Sequence, residues 1–289
     1  MDRVVRQRRP HWLKVDLSGK GQYYHVKELV AKRALHTVCQ SARCPNIGEC
    51  WARNTATFMI LGDTCTRNCR FCAVDHGVAG PVDGDEPARV AEAVAELHLS
   101  YAVITSVTRD DLPDGGACQF AETIRAIKGR APHCLVEVLI PDFLGSNAAL
   151  EMVIEAAPDV LNHNLETVPA LYERVRPQAN YRRSLEVLQR ARRNGMPTKS
   201  GLMLGLGETR DQIVSTMHDL RHVDCQILTL GQYLQPSRHH LPVERYLEPQ
   251  EFAELKQMGL DVGFSHVESG PLVRSSYHAD QQSLEALRG

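Results

Sequence analysis

Three of the nine cysteines in this 289-residue chain fall within Asp63-Thr64-Cys65-Thr66-Arg67-Asn68-Cys69-Arg70-Phe71-Cys72. Thiols spaced C-x3-C-x2-C cannot all pair with one another as disulfides, and a peptide this short can wrap a compact inorganic core. A structural zinc site normally takes four protein ligands, usually from two separated C-x2-C-type pairs. This run offers three soft ligands and stops. On a cubane iron–sulfur cluster, three thiolates leave one iron free for another partner. An open iron on a loop is a place for chemistry. A zinc knuckle or a ferredoxin-like electron carrier is the alternative use of the same residues.

A second group precedes it, Cys39-Gln40-Ser41-Ala42-Arg43-Cys44-Pro45-Asn46-Ile47-Gly48-Glu49-Cys50-Trp51, spaced C-x4-C-x5-C. Pro45 and Gly48 argue for an irregular loop between the ligands. Again there are three cysteines with no fourth beside them. Cys118, Cys134 and Cys225 lie in or beside helical or strand runs and read as buried small apolar residues.

The elements that must position these groups are legible as alternation. Short apolar runs at Phe58–Leu61, Ala102–Thr105, Leu135–Ile140, Val160–Asn162, Lys199–Leu204 and Ile227–Leu230 read as strands. Between and after them lie helical patterns near Ala88–Leu97, Gln119–Lys128, Asn147–Ala156, Tyr181–Arg193, Arg210–Arg221 and Pro249–Met258. An earlier helix is expected over Val26–Leu35. Ser146 and Thr209 suit N-caps, and Gly195 and Gly259 suit helix stops. Strands alternating with helices imply βαβ units and a parallel sheet. Six units make a partial (β/α)6 TIM-like barrel, short of the usual eight. The expected organisation is an N-terminal extension over 1–54, the partial barrel over 55–260 and a C-terminal segment over 261–289, the two extensions closing the mouth.

Chemistry-capable residues follow the strand runs, as expected at the C-terminal mouth of parallel strands. Cys65, Cys69 and Cys72 follow the first, and Thr105 to Asp111 the second. Asn162, His163, Asn164 and Glu166 follow the fourth, Gly205 to Glu208 the fifth, and Gln232 to Pro236 the sixth. Arg109, Asp110 and Asp111 read either as cofactor or carrier contacts or as a solvated loop. Asn162, Asn164 and Glu166 read as ribose or methionyl contacts or as turn and cap residues. His163 reads as an orienting hydrogen-bond residue rather than a metal ligand, and His239 and His240 as solvent-facing.

Composition sets bounds. Hydrophobic content of 43% and charged content of 24% are ordinary for a soluble globular chain. The formal net charge of −2 gives no electrostatic reason to expect nucleic acid or an anionic membrane. No apolar run approaches the ~20 residues of a membrane span. The N-terminal MDRVVRQRRPHW is basic but lacks the apolar stretch of a secretory signal, and is short for an organelle-targeting peptide. Thiols kept as ligands fit a reducing cytoplasm best.

The C-x3-C-x2-C run, with Phe71 just before its third cysteine, resembles the radical S-adenosylmethionine superfamily. Taken with CQSARCPNIGECW, TSVTRDDLPDGGA, VEVLIPDF, NHNLETV, TKSGLMLGLGET, LTLGQYLQPSRHHLPV and GPLVRSSYHA, the chain from Arg9 to Ala279 resembles the lipoyl synthase family. The resemblance implies two 4Fe–4S clusters. One, on Cys65, Cys69 and Cys72, would cleave S-adenosyl-L-methionine. The other would be held by Cys39, Cys44, Cys50 and the second serine of Arg274-Ser275-Ser276-Tyr277, a choice of Ser276 over Ser275 that only the family pattern makes. It further implies cofactor contacts from Phe71, Thr105, Asn162, Asn164, Glu166, Lys199, Met203, Gly205, Glu208 and Gln232. The implied reaction inserts two sulfur atoms, at carbons six and eight of an octanoyl chain on a carrier lysine, with the auxiliary cluster as sacrificial sulfur donor. Implied partners are octanoylated lipoyl carrier domains of 2-oxoacid dehydrogenases and the glycine cleavage H protein, an electron donor such as flavodoxin or ferredoxin, and a cluster-repair protein. The enzyme itself is expected to be a monomer. Biotin-synthase-like sulfur insertion and a multi-cluster electron carrier are the competing readings, the first disfavoured by C-x4-C-x5-C and RSSY.

Overall fold

The structure is a computed structural model describing residues 9–13, 20–41, 44–52 and 56–282. Residues 1–8 of the basic N-terminal stretch and 283–289 of the C-terminal segment lie outside the described residues. In chain order the strands are β1 (His36–Thr37), β2 (Thr57–Ile60), β3 (Thr64–Cys65), β4 (Asp75–His76), β5 (Tyr101–Ser106), β6 (Leu135–Leu139), β7 (Val160–Asn162), β8 (Thr198–Leu204), β9 (Ile227–Gln232) and β10 (His266–Gly270). The helices are α1 (Lys20–Lys32), α2 (Val38–Ser41), α3 (Ile47–Ala52), α4 (Glu86–Glu96), α5 (Ala117–Arg130), α6 (Asn147–Glu155), α7 (Tyr172–Val175), α8 (Tyr181–Arg193), α9 (Arg210–His222) and α10 (Pro249–Val262).

The main sheet runs β1-β2-β5-β6-β7-β8-β9-β10. β1 is antiparallel to β2, and every later neighbour is parallel. Strands in sequential order with helices between them make a partial α/β barrel, open between β10 and the β1–β2 edge. All six expected runs are strands. The parallel set has one more member than expected, β10, whose sequence HVESG carries a single apolar side chain, the buried Val267. Its pairing partner β9 is buried along its whole length, so β10 is recruited by backbone pairing and not by an apolar run.

Alternation sorts the two faces. On β5 and β6, Ala102, Ile104, Val136 and Val138 pack outward with Val90, Phe120 and Ile124 of α4 and α5. Burying one such side chain contributes about 1.5–3 kcal/mol. Tyr101, Val103, Leu135 and Glu137 face inward. On β8, Leu202 and Leu204 join the outer core; Lys199, Gly201 and Met203 have the opposite parity and face in.

Local signals set the helix ends. The Ser146 hydroxyl accepts from Ala149 N at the start of α6, and Thr209 and Gln212 form a reciprocal capping box on α9, each cap contributing about 1 kcal/mol. Gly195, at φ +80°, follows the end of α8 as expected. The expected stop at Gly259 is corrected: α10 runs through it to Val262, with Gly263 in the left-handed conformation at its end. Gly259 is a contact residue, since a Cβ there would stand 2.8 Å from Val267 Cγ2. α10 packs closely on β10 through that gap.

Candidate active site

β2 ends at a left-handed Leu61 (φ +69°), whose N–H is held at 2.8 Å by the buried Glu86 carboxylate at the start of α4. The chain then enters the cysteine loop, which loops following four other strands pin in place. After β5, Thr108 O accepts from Thr66 N and Thr66 Oγ1, both at 2.9 Å. The buried Arg67 guanidinium spans to Asp110 at 2.6 and 2.9 Å and to Asp142, after β6, at 2.6 Å. After β7, Val175 O accepts from Arg70 N at 3.0 Å, and Gln178 Oε1 from Asn68 N at 2.9 Å. After β9, Leu241 N donates to Arg70 O at 3.1 Å and His240 Nε2 to Cys72 O at 2.8 Å. Burial opposes charge on Arg67, yet its two carboxylates outweigh it and raise its pKa. Asp142 is pushed up by burial and pulled below its ordinary value by Arg67, with His163 and Arg183 adding to the pull.

Cys65, Cys69 and Cys72 are unbridged thiols. Cys65 Sγ accepts backbone N–H bonds from Arg67 at 3.4 Å and Thr108 at 3.3 Å. Burial pushes the Cys72 thiol up to about 12, and the charges of Cys69 and Cys65 push the same way. Cys69 is raised by burial against the pull of Arg176. Cys72 thus feels the charges of both other thiols of the loop, a repulsion that a cationic metal core would relieve. Among the described residues no three His, Cys, Asp or Glu side chains are arranged to hold one metal ion. A cubane asks for a different arrangement, one thiolate per iron, and the pinned loop with its N–H···S bonds fits it.

The other motif is not the irregular loop that Pro45 and Gly48 suggested: a helical turn precedes Cys44, and Gly48 lies inside a second short helix. Cys39 lies in α2 and Cys50 in α3, with Cys44 between them donating its N–H to Cys39 O at 3.0 Å. Burial, then the neighbouring Cys44, pushes Cys39 up to about 11. Cys44 is raised by burial, with Arg274 close enough to pull against it. That proximity places the C-terminal segment. After β10 the chain turns back along the inner face of the sheet. Val273 O lies over Gly231 of β9, where a Cβ would come within 2.1 Å of it. Asn46 Nδ2 donates to Leu272 O at 2.7 Å, and the Tyr277 hydroxyl and His278 Nε2 reach the Glu49 carboxylate. Burial and then Glu49 push the Tyr277 phenol up to about 12. Ala279 packs on Tyr101 and Val103 inside the barrel. Ser276 thus lies in the segment that Asn46 and Glu49 hold against this motif.

The remaining expected site residues ring the strand ends. Phe71 and Met203 meet in one apolar cluster with Val175, Leu206 and Tyr233. Asn164 Nδ2 donates to Glu166 Oε1 at 3.1 Å, and Glu166 has left-handed backbone (φ +66°), strain of a kind that persists where surroundings over-determine it. The Oδ1 atoms of Asn162 and Asn164 are buried without a protein partner. Other candidates are occupied by the protein. Thr105 Oγ1 donates to Leu139 O at 2.9 Å, and the Glu208 carboxylate accepts from Gly205 N and Leu206 N. The Gln232 amide braces Leu204 O, Tyr233 O, Arg245 O and Leu247 N. Lys199 is fully buried against Glu137 at 3.1 Å, where Tyr101 and Asn162 also converge. Arg109 is tied to Asp111 by two hydrogen bonds.

Two further expectations are corrected. Cys118 is exposed, beside Glu122 on α5, while Cys134 and Cys225 are buried as expected. His240 does not face solvent: it bridges Cys72 O and, at 2.9 Å, Ser237 Oγ. His163 orients as expected, its Nδ1 donating to Ile140 O at 2.8 Å, and burial followed by the Arg176 charge pushes it down to about 4. Sequence reasoning missed Glu137 and Arg176. A carboxylate inside the apolar run LVEVL was the signal for the first; the second had none.

Comparison with known proteins bears on the family and the fold. Residues 59–220 match the family model of the Radical SAM superfamily. A lipoyl synthase of Rubrobacter xylanophilus is 59% identical over 286 residues, covering 98% of this chain and 89% of the relative. One of Halalkalibacterium halodurans is 56% identical over 282 residues, covering 96% and 93%. Among solved structures, methylornithine synthase superposes with a TM-score of 0.54 at 14% identity over 91% of this chain and 83% of that one. Streptococcus suis SuiB bound to S-adenosylmethionine gives 0.55 at 12%, over 77% and 51%. At those identities the structural likeness bears on the fold alone. The chain belongs to the lipoyl synthase family of radical S-adenosylmethionine enzymes.

Proposed function

We propose that this chain converts a protein-bound octanoyl-lysine to lipoyl by inserting sulfur at carbons six and eight, with two distinct 4Fe–4S clusters. Cys65, Cys69 and Cys72 would hold a 4Fe–4S cluster that, with S-adenosyl-L-methionine and an electron, would supply the radical chemistry needed to take a hydrogen from an unactivated methylene. Such a methylene has no acidity for a general base to exploit, which is why neither His163 nor any mouth carboxylate is assigned that role. The second cluster, on Cys39, Cys44, Cys50 and Ser276, is the sulfur-donating substrate. Sulfur has to meet a short-lived carbon radical at near-attack distance, ~3–3.5 Å, so a donor fixed in the protein is required.

The observation that carries this reading is the return of the C-terminal segment to the first cysteine motif, with Glu49 joined to Tyr277 and Arg274 beside Cys44. These contacts bring together the N-terminal motif of three thiols and the C-terminal segment that carries Ser276, which supports the ligand set. Phe71 and Met203 form the apolar wall proposed for the adenine; Asn162, Asn164 and Glu166 supply polar groups for the ribose and methionyl ends. Thr105, Lys199, Glu208 and Gln232 act by shaping the wall, since their polar atoms are bound by the protein. An octanoylated carrier domain brings the substrate. A flavodoxin- or ferredoxin-type donor supplies electrons, a repair protein rebuilds the spent cluster, and the enzyme works as a monomer in a reducing cytoplasm. No helix of the described residues is long and apolar enough to cross a membrane.

The test is an anaerobic assay of the reconstituted chain with an octanoyl-lysyl peptide, reductant and S-adenosylmethionine. Formation of 5′-deoxyadenosine together with mono- and dithiolated peptide supports the reading. Cofactor cleavage without thiolation under any reconstitution would contradict it.

A further inference from the structure

The segment after α7 runs alongside the radical cysteine loop. Val175 O holds Arg70 N at 3.0 Å and Gln178 Oε1 holds Asn68 N at 2.9 Å, so the two bonds flank Cys69 on one side and Arg176 on the other. Arg176 is therefore fixed opposite Cys69. Its guanidinium is anchored only to neutral acceptors, with NH1 donating to Asn164 O at 2.8 Å, Leu165 O at 3.1 Å and the Tyr172 hydroxyl at 3.3 Å. It lies 5.6 Å from the centre of the Tyr172 ring, and its Nε is buried with no hydrogen-bond partner. Most other arginines near the mouth are neutralised by a carboxylate: Arg67 by Asp110 and Asp142, Arg109 by Asp111, Arg174 by Glu244. Arg176 has no such bond. The groups whose charges reach it are Tyr172, Glu166, Cys69 and Asp142, the last already held by Arg67 and Arg183.

We propose that Arg176 is a positioning residue for charge: its guanidinium, fixed beside Cys69 without a carboxylate bonded to it, favours the added electron on the cluster held by Cys65, Cys69 and Cys72. This rests on the assignment of that cluster made above. The step is a one-electron reduction in which the electron enters the cluster from an external reductant and no bond breaks. Because three thiolates already give the site negative charge, one more electron is opposed by its surroundings, and a low-dielectric wall makes a fixed cation there count for more than it would in water. Glu166 acts in the opposite sense. The charges of Arg176 and Glu166 reach Cys69 with opposite sign.

The test is a dithionite-poised redox titration of the full chain, reconstituted with both clusters and read by electron paramagnetic resonance without S-adenosylmethionine. The open-iron cluster is identified as the signal that changes when S-adenosylmethionine is added to a parallel sample. Arg176→Met should make reduction about tenfold less favourable at a fixed potential, about 59 mV for one electron. Arg176→Lys, which keeps the charge, should stay near wild type. Glu166→Gln should move the potential the other way, and Arg174→Met, two residues along and exposed, should leave it unchanged. If Arg176→Met does not load iron, Arg176→Gln takes its place, since it keeps an amide donor for Asn164 O. A neutral variant with full iron and the wild-type potential would overturn the proposal, as would Arg176→Lys shifting as far as Arg176→Met. Absence of any signal responding to S-adenosylmethionine in the wild-type chain would instead overturn the cluster assignment beneath it.

Discussion

The Tyr277 hydroxyl stands 3.2 Å from both oxygens of the Glu49 carboxylate, although the residues are 228 positions apart. His278 Nε2 reaches the same carboxylate at 3.1 Å, and Asn46 holds Leu272 O. Ordinary protein contacts therefore hold the segment that carries Ser276 against the C-x4-C-x5-C motif.

Those contacts give the first prediction. Glu49→Ala removes the acceptor of two bonds worth about 1 kcal/mol each, up to roughly 30-fold in the local equilibrium. Sulfur insertion should fall several-fold and auxiliary iron should be retained less well. Formation of 5′-deoxyadenosine should stay near wild type. Product analysis of both compounds from one reaction checks it.

Arg67 carries the second. With Arg67→Ala, Asp142 keeps the longer 3.3 Å ion pair to Arg183 and the Leu144 N–H at 3.2 Å but loses its main charged partner. Breaking such a pair costs about 3–5 kcal/mol. Denaturant midpoints should fall accordingly, and cofactor cleavage should be lost with the order of the cysteine loop. Arg67→Lys should not rescue it, because one ammonium cannot span Asp110 and Asp142 as the planar fork does.

The two cysteine groups should separate by function. Alanine at Cys65, Cys69 or Cys72 should abolish 5′-deoxyadenosine. Alanine at Cys39, Cys44 or Cys50 should leave it detectable while removing thiolated product. Loss of cleavage from the second set in a still-folded chain would show that the two roles are not divided this way.

Much of this architecture is legible in the sequence because it follows apolar periodicity and cap chemistry. The runs at Phe58, Ala102 and Leu135 bury one or both faces, and Thr209 with Gln212 spells its own cap. β10 escaped because backbone pairing to β9 recruits it and HVESG has no apolar period. Gly259 misled because its small size serves a contact with Val267, not a turn. His240 looked solvated because nothing local reveals that residues 168 positions apart meet at Cys72 O. Ligand types were readable from spacing. The cations that steady them were not, because tertiary proximity alone places Arg67 and Arg176.

Ser276 gives the fourth prediction. An alkoxide is a hard ligand, poorly matched to iron–sulfur sites that favour thiolate, so its iron should be the easiest to release. Ser276→Ala should keep 5′-deoxyadenosine formation and largely lose sulfur insertion. Ser276→Cys should hold the cluster and release sulfur poorly. Iron retention during turnover, followed by Mössbauer spectroscopy, distinguishes the two; if Ser275→Ala alone reproduces the Ser276→Ala behaviour, Ser276 is not the ligand.

The central claim is that the cluster on Cys39, Cys44, Cys50 and Ser276 is itself the source of sulfur. The most direct measurement reconstitutes the chain with isotopically labelled sulfide, removes free sulfide, and turns it over once with octanoyl-lysyl peptide and no repair partner. The account predicts labelled sulfur at both carbons, no more than one lipoyl group per chain, and loss of the auxiliary signal in step with product. Unlabelled product, or many turnovers from one loading, would contradict it.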